Sequence, residues 1–190
     1  MKKLNIWLIK EGEALPIAQN ARLMRMGALA KYLAEHGHKV TWWTSTYIHG
    51  QKEYIYYGCK EIDVSENERL ILLHSPIAYK KNISARRILY HKLLAVNFLR
   101  ISPNCKKPDI ILCAWPTPQF AKAALKYGKR RKIPVVIDIR DLWPDIFERV
   151  FPEKFRFLGK IMLCPLKYST GKIMSAAAGI VGKEDRSLQW

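Results

Sequence analysis

Acidic side chains are scarce in this chain, with 16 Asp and Glu against 33 Lys and Arg and a formal charge of +17. The deficit is local. Between Lys80 and Lys132 stand 14 Lys and Arg and the single acid Asp109, so this stretch carries +13 of the surplus. A field of that sign draws polyanions, whether nucleic acid, anionic lipid headgroups or phosphorylated substrates, and does not choose among them. No helix-turn-helix, RNA-recognition signature or zinc finger accompanies it, which argues against nucleic acid as the partner. Long apolar runs are missing too. The opening MKKLNIWLIK has only Leu4 to Ile9 before Lys10 and no small-residue cleavage site, so it reads as a first strand rather than a signal peptide. Nothing approaches the ~18 apolar residues that a membrane span needs. The expected location is therefore the cytoplasm.

The common chemical signatures are also absent. The four cysteines, Cys59, Cys105, Cys113 and Cys164, form no C-x-x-C pair and have no zinc-type spacing with the histidines, so reduced structural thiols are expected. There is no G-x-G-x-x-G after the first strand, and G-x-x-x-x-G-K-[ST], G-x-S-x-G and H-E-x-x-H are missing as well. Histidines 36, 38, 49, 74 and 91 suggest no shared metal, and His36 and His38 around Gly37 read as helix-end residues. No metal and no cofactor is expected.

What is present is a chain of 190 residues, 49% hydrophobic, alternating strand and helix. Leu4 to Ile9 is a strand, and Lys10 to Gln19 a loop with Gly12, Glu13 and Pro16. A helix over Asn20 to His36 follows from Leu23, Met26, Leu29, Ala30, Leu33 and Ala34 at helical spacing, closed by Gly37. Val40 to Ser45 is a second strand, and the tyrosine-rich Thr46 to Asn67 fits strand or loop. Arg69 to His74 is a strand. Ser84 caps a helix reaching about Ile101, with Arg86, Arg87 and Lys92 on one side and Leu89, Leu93, Val96 and Leu99 on another. Asp109 to Ala114 is a strand and Gln119 to Lys129 a helix. Lys154 to Met174 reads as helix broken near Pro165, and Ala177 to Gly182 as a last short strand. Helical crossovers between strands imply an α/β fold, a Rossmann-like parallel sheet with helices on both faces.

The chain is organised around Pro134 to Asp145, PVVIDIRDLWPD. Val135, Val136 and Ile137 are β-branched without alternation, as in a strand covered on both faces, and Asp138, Arg140, Asp141, Trp143 and Asp145 crowd its end. Ligands of open α/β sheets bind beyond the carboxyl ends of strands, which makes these residues candidates. Asp141 as the cap of a helix starting at Leu142, with Pro144 in its first turn, is the alternative. The same rule gathers the other exit loops at one edge: Glu11, Gly12 and Glu13; His49 and Lys52; Trp115, Pro116 and Thr117.

Three stretches carry a family resemblance. GEALPIAQNARLMRMGALAKYLAEHGHKVTWWTS at Gly12 to Ser45, PVVIDIRDLWPD at Pro134 to Asp145 and AAAGIVG at Ala176 to Gly182 resemble the N-terminal domain of family-4 retaining glycosyltransferases of two-Rossmann-domain (GT-B) architecture, of the bacterial capsule and O-antigen type. Where many of these enzymes carry a His-Asp pair near the transferred sugar, this sequence has Arg140-Asp141. The resemblance implies an acceptor-side domain over residues 1–182, with 183–190 beginning a helix toward a donor-binding domain. It implies a nucleotide-sugar donor, a lipid-linked or saccharide acceptor, and Arg140, Asp141 and Glu13 as catalytic residues. Arg140 would lie near the donor phosphates or the acceptor hydroxyl, Asp141 would fix Arg140, and Glu13 would act as base. Gly12, Trp115, Thr117 and Trp143 would contact substrate. The family holds its donor mainly in a second Rossmann-like domain, to which nothing here corresponds. A truncated enzyme inactive alone is the expectation, with a membrane-associated subunit of a two-chain enzyme and a non-enzymatic basic binding module as alternatives. The apolar, basic helix near Ser84 to Ile101 further predicts a peripheral contact with the anionic inner face of the plasma membrane through Lys80, Lys81, Arg86, Arg87 and Lys92, against a core helix with a solvated basic edge.

Overall fold

Residues 2–18, 21–81, 84–141, 143 and 156–182 are described by a computed structural model. Their core is a seven-stranded sheet built from β1 (Asn5–Ile9), β2 (Lys39–Ser45), β5 (Lys60–Asp63), β6 (Glu68–Leu73), β7 (Ile110–Trp115), β8 (Val135–Ile139) and β9 (Gly179–Gly182). The order across the sheet is β5-β6-β2-β1-β7-β8-β9. Every pairing is parallel except β5 with β6, where Asp63 faces Arg69 and Lys60 faces Leu72 in an antiparallel edge ribbon. Leaving out that ribbon, the sheet has the 3-2-1-4-5-6 order of doubly wound folds, whose topological switch point lies between β1 and β7. The expected parallel sheet is thus present, with one antiparallel strand at its edge. A short hairpin of β3 (Tyr47–Ile48) and β4 (Glu53–Tyr54) occupies the stretch whose pattern fitted strand or loop.

The strands look continuously hydrophobic because each feeds two cores. Trp7 and Ile9 of β1, Trp43 of β2 and Ile71 and Leu73 of β6 point into one core, while Ile6, Leu8, Trp42, Leu70 and Leu72 point into the other. Helix α1 (Arg25–Glu35) covers the second core with Met26, Ala30 and Ala34. Helices α2 (Ala85–Ile101), α3 (Pro118–Arg131) and α4 (Arg156–Ala176) cover the first, through residues such as Leu94, Phe98, Phe120, Ala124 and Ile173. Trp7, Trp42, Trp43 and Trp115 are each at most 1% exposed. A buried aromatic of that size contributes about 4–6 kcal/mol of gross apolar transfer, so the indoles at the sheet centre are a large part of what holds the layers together.

Local chemistry explains where elements start and stop. Helix α1 starts at Arg25, one turn later than the apolar pattern suggests, and the backbone leaves it at Gly37 with φ +80, a conformation that favours glycine. Ser84 caps α2 as expected, its Oγ accepting the Arg87 N–H at 3.2 Å. The buried face of α2 is a different one, however. Tyr90, His91, Leu94, Ala95 and Phe98 face the core, whereas Ile88, Leu89 and Val96 are exposed. Where α3 meets β8, a Cβ on Gly128 would come within 2.5 Å of Val135 Cγ2 and 2.8 Å of the Ile133 carbonyl, so the close approach itself requires glycine. Helix α4 runs through Pro165 without interruption, which corrects the expected break. Among the described residues no helix is long and apolar enough to cross a membrane. The helix expected after Asp141 and the segment 183–190 lie outside the described residues.

Candidate functional site

The loop leaving β1 is anchored from below by the Lys10 N–H, which donates to the Trp43 carbonyl at 3.0 Å, and by the Trp42 indole, which donates to the Lys10 carbonyl at 2.9 Å. Gly12 follows at φ +80, where a side chain is disfavoured. On either side of it the chain buries a carboxylate, Glu11 at 6% and Glu13 at 7% exposure. Buried acids are costly unless paired and hydrogen-bonded, so their partners define the site.

Glu11 lies at the switch point of the sheet. Its Oε1 accepts from Thr117 Oγ1 at 3.1 Å, across the β1–β7 crevice, and its Oε2 lies 3.2 Å from Lys10 Nζ. His91 Nε2, on α2, is 3.1 Å from Oε1 but out of line for a hydrogen bond. Burial works against the Glu11 charge, yet Lys10 and His91 more than offset it and hold the carboxyl well below the usual carboxylate range. One negative charge is thereby fixed where three elements meet.

Glu13 does something else. Its Oε2 accepts the N–H groups of Met26 at 2.9 Å and Gly27 at 3.3 Å, buried donors of the first turn of α1 that have no partner within the helix. Met24 at the N-cap offers no side-chain bond, so Glu13 caps this helix from eleven residues upstream of Met24. The place where a dinucleotide phosphate sits in ordinary doubly wound folds is therefore held by the protein's own carboxylate. The other oxygen of Glu13 pairs with Arg140 Nη1. Arg140 Nε also donates to Asp138 Oδ2 at 3.0 Å, and Asp138 Oδ1 lies 2.7 Å from Arg25 Nη2. Two carboxylates and two guanidiniums, with the Met26 N–H that Glu13 accepts, close a ring that joins the exits of β1 and β8 to the start of α1.

The expected exit loops do meet at one edge, with changes in partner. Arg140 pairs with Glu13 and Asp138. Asp141 is exposed and makes no ion pair with Arg140 among the described residues, which corrects the expectation that it fixes the guanidinium. Trp115 and Thr117 are buried at 1% and 4%, one donating from Nε1 to the Trp143 carbonyl at 3.1 Å and the other to Glu11. Both hold loops in place, while Gly12 is exposed and Trp143 is half-buried with its ring 5.5 Å from that of Trp115. Of the residues expected at a membrane, Lys80, Lys81, Arg86 and Lys92 are exposed, whereas Arg87 is half-buried with its guanidinium 5.7 Å from the centre of the Tyr79 ring. Arg25, His91 and Lys10 were not among the candidates, and Asp138 was placed at the strand end without a partner. Asp138 carried a readable signal, since a carboxylate inside the run of β-branched residues of β8 has to find a cation. Arg25 and His91 carried none, because which turn of a helix faces the crevice depends on where the helix starts and how it packs.

No protein-family model matches the sequence, and no curated protein matches it. Solved structures do. Sucrose-phosphate synthase from Thermosynechococcus elongatus is similar over 94% of this chain, with a TM-score of 0.57 and 14% identity. The α,α-trehalose 6-phosphate synthase from Burkholderia multivorans is similar over 94%, with a TM-score of 0.54 and 11% identity. The chain spans 42% and 39% of those two chains, about two fifths of their length. At these identities the likeness is one of fold, and that fold is a Rossmann-like α/β domain.

Proposed function

We propose that this domain is the acceptor side of a GT-B glycosyltransferase, which moves a sugar from a nucleotide-sugar donor to a lipid-linked or saccharide acceptor in the synthesis of a surface polysaccharide. The observation that carries the reading is the convergence of the β1, β7 and β8 exits on a charged, largely buried edge, in a chain whose fold resembles two fifths of two sugar-phosphate synthases. The family-4, capsule-type assignment rests on the motifs at Gly12 to Ser45 and Pro134 to Asp145. In this reading Arg140 supplies positive charge at the reacting edge, held in place by Glu13 and Asp138. Glu13 is a poor candidate for the base, because both its oxygens are engaged, and its role becomes that of orienting Arg140. Gly12, exposed beside the crevice, leaves the loop open to a ligand, and Trp143 and Asp141 flank it.

The donor phosphates need several preorganised groups, and the reading assigns most of them to a second Rossmann-like half. The test is transfer from a panel of UDP- and GDP-sugars to lipid-diphosphate acceptors, by the 190-residue chain alone and by the chain supplied with a donor-binding half. Transfer only when both halves are present is the expected outcome. Steady transfer by the chain alone overturns the architecture, and binding of an anionic ligand with no transfer in either case favours a binding module.

The membrane contact belongs to the same reading. Along the outward stripe of α2, the exposed Ile88, Leu89 and Val96 alternate with Lys92 and Arg100, and Lys80, Lys81 and Arg86 precede or open the helix. Each basic side chain near an anionic bilayer is worth about 1 kcal/mol, and apolar neighbours add burial in the interface. Flotation with anionic vesicles is expected at low salt and should fall as salt rises. Equal binding to neutral vesicles, or none at low salt, removes this contact.

A further inference from the structure

We propose that the cavity beside α1 floored by Glu68 binds a small primary amine, taking its ammonium group on the Glu68 carboxylate and its carbon chain between apolar walls. Among the described residues four carboxylates are less than 10% exposed: Glu11, Glu13, Glu68 and Asp138. Three of them have a cation within reach, Lys10 for Glu11, Arg140 for Glu13, and Arg25 with Arg140 for Asp138. Glu68 has none, and it is 5% exposed with an Oε1 that is shut off from water and accepts no hydrogen bond. A buried carboxylate is costly unless matched, so this one calls for a partner from outside the chain.

The cavity supplies the way in. Glu68 opens β6 opposite Val40 of β2, and Leu70 and Leu72, two and four residues on, pack into the core under α1. With the two-residue period of a strand, the Glu68 side chain points to the same face. There it lines a cavity of about 390 Å³, in the size range of small-molecule sites, enclosed by α1, the loop before it and the turn from β5 to β6. Pro16, Leu23, Ala34 and Val64 make its walls apolar. Lys31 and Glu35 also line it, but they face each other at 3.9 Å with both side chains more than half exposed, so they largely offset one another and leave Glu68 as the net charge. The last turn of α1 adds the negative pole of the helix and contains no basic residue. Burial raises the Glu68 pKa, with Glu35 adding to the rise and Lys31 opposing it, which is the state of a carboxyl whose charge has no counterion.

The lining decides the kind of cation. A hard metal ion takes about six oxygen ligands, and among the described residues no group of three His, Cys, Asp or Glu could hold a metal ion. An ammonium is a compact point charge that one carboxylate can match, and apolar walls accommodate the carbon chain attached to it. The formal charge of +17 works against adventitious uptake of cations, so saturable binding of one reports a local site. This cavity is away from the β1 and β8 exits, and the proposal does not depend on the glycosyltransferase reading.

The experiment is titration of n-butylammonium chloride against the 190-residue chain at physiological salt, followed by ligand-observed NMR, with n-butanol as the uncharged match. Saturable binding of the ammonium is expected, and roughly ten-fold weaker binding or none for the alcohol. Glu68→Gln, of the same shape without the charge, is expected to weaken n-butylammonium binding roughly ten-fold or more. Glu53→Gln, which removes an exposed carboxylate on β4, should change it by less than about two-fold. In denaturant unfolding Glu68→Gln should be at least as stable as the parent chain, because the parent buries a charge that nothing in the protein matches. No binding of n-butylammonium by the unaltered chain, equal binding of n-butanol, or equal losses in the two variants overturns the site. A loss of stability in Glu68→Gln overturns it as well, since the carboxylate then has a partner inside the protein. Tighter binding of Nα-acetyl-lysinamide than of n-butylammonium puts the ammonium on a protein side chain and rejects the small amine.

Discussion

The two ends of the sheet are both crowded with charge, yet they use it in opposite ways. At the carboxyl ends of the strands, Glu11, Glu13 and Asp138 are each less than 10% exposed; Glu11 is paired with its neighbour Lys10, and Glu13 and Asp138 with guanidiniums from other segments. At the amino ends, Lys39, Glu61, Asp63, Glu66 and Arg69 form pairs whose side chains are all more than half exposed. A cleft of about 370 Å³ lies among Lys39, Glu61, Asp63, Arg69 and Lys106 at the amino ends, away from the edge where ligands of such folds bind. Volume is therefore a poor guide to chemistry here. Burying a carboxylate costs several kcal/mol, and a chain that does so three times at one edge has a use for a fixed arrangement of charge there. Exposed pairs cost and contribute little.

The largest expected effect of breaking this contrast is Glu13→Ala. It removes the cap of α1 and leaves Arg140 with one carboxylate in a buried setting, so a loss of about 3–5 kcal/mol is expected in denaturant unfolding. Glu13→Gln, which can still accept the Met26 and Gly27 N–H groups, should retain part of that stability. Arg140→Ala comes next. With its side chain 16% exposed and two carboxylate partners, Arg140 is more deeply embedded than an exit-loop cation would be, and the expected loss is about 1–3 kcal/mol rather than the near-neutral value of a surface site. On the proposed glycosyltransferase reading, the same change should also lower kcat by a further large factor in the transfer assay with both halves present. Normal turnover by an unstable Arg140→Ala protein would make this ring a structural device only.

Glu11 gives the comparison a pH axis. Its folded-state pKa is depressed, so the stability it contributes is fully present above the ordinary carboxylate value of ~4.3 and is lost as pH falls from there toward the folded value. Glu11→Gln should lie below the parent protein in stability at neutral pH and show a shallower loss with acid. Parallel acid-unfolding curves for the two proteins would mean that the charge on Glu11 is not what holds the β1 and β7 exits together.

Much of this edge was legible in the sequence, because the strand-end rule needs only the strands. Leu4 to Ile9, Val40 to Ser45 and the PVVID run announced themselves by composition, and with them the meeting of Glu11, Glu13, Thr117 and Arg140. Partners were not legible. Whether Arg140 meets Asp141, Asp138 or Glu13 depends on alternation along β8: Asp138 turns inward and is 2% exposed, while Asp141, past the strand, faces solvent. The buried face of α2 was not legible either, for a related reason. Leucines and valines three and four apart mark an apolar stripe, but in this helix the core takes Tyr90, His91 and Phe98 instead, because the aromatic cluster of Trp7, Trp43 and Tyr127 has room for rings. The late start of α1 follows from a cap that comes from Glu13, outside the window in which a local N-cap is sought.

The smallest effect is expected at the amino ends, and it is the control on which the contrast depends. Arg69 donates from Nε to Asp63 at 2.7 Å and lies 3.5 Å from Glu61, in register across the antiparallel β5–β6 ribbon. Its geometry is as good as that of Arg140, and the hydrogen bond to Asp63 raises its pKa. Its side chain is nevertheless 51% exposed, against 68% for Asp63, so water screens the pair and competes for both partners. A double-mutant cycle of Arg69→Ala with Asp63→Ala should return a coupling below about 1 kcal/mol, as for other exposed cross-strand pairs, and it should shrink with added salt. The same cycle on Glu13 and Arg140 should return a larger coupling that resists salt, because neither partner can turn to water. If the two couplings come out equal, burial is not what separates the ends of the sheet, and the charged carboxyl edge loses its claim to be a prepared site.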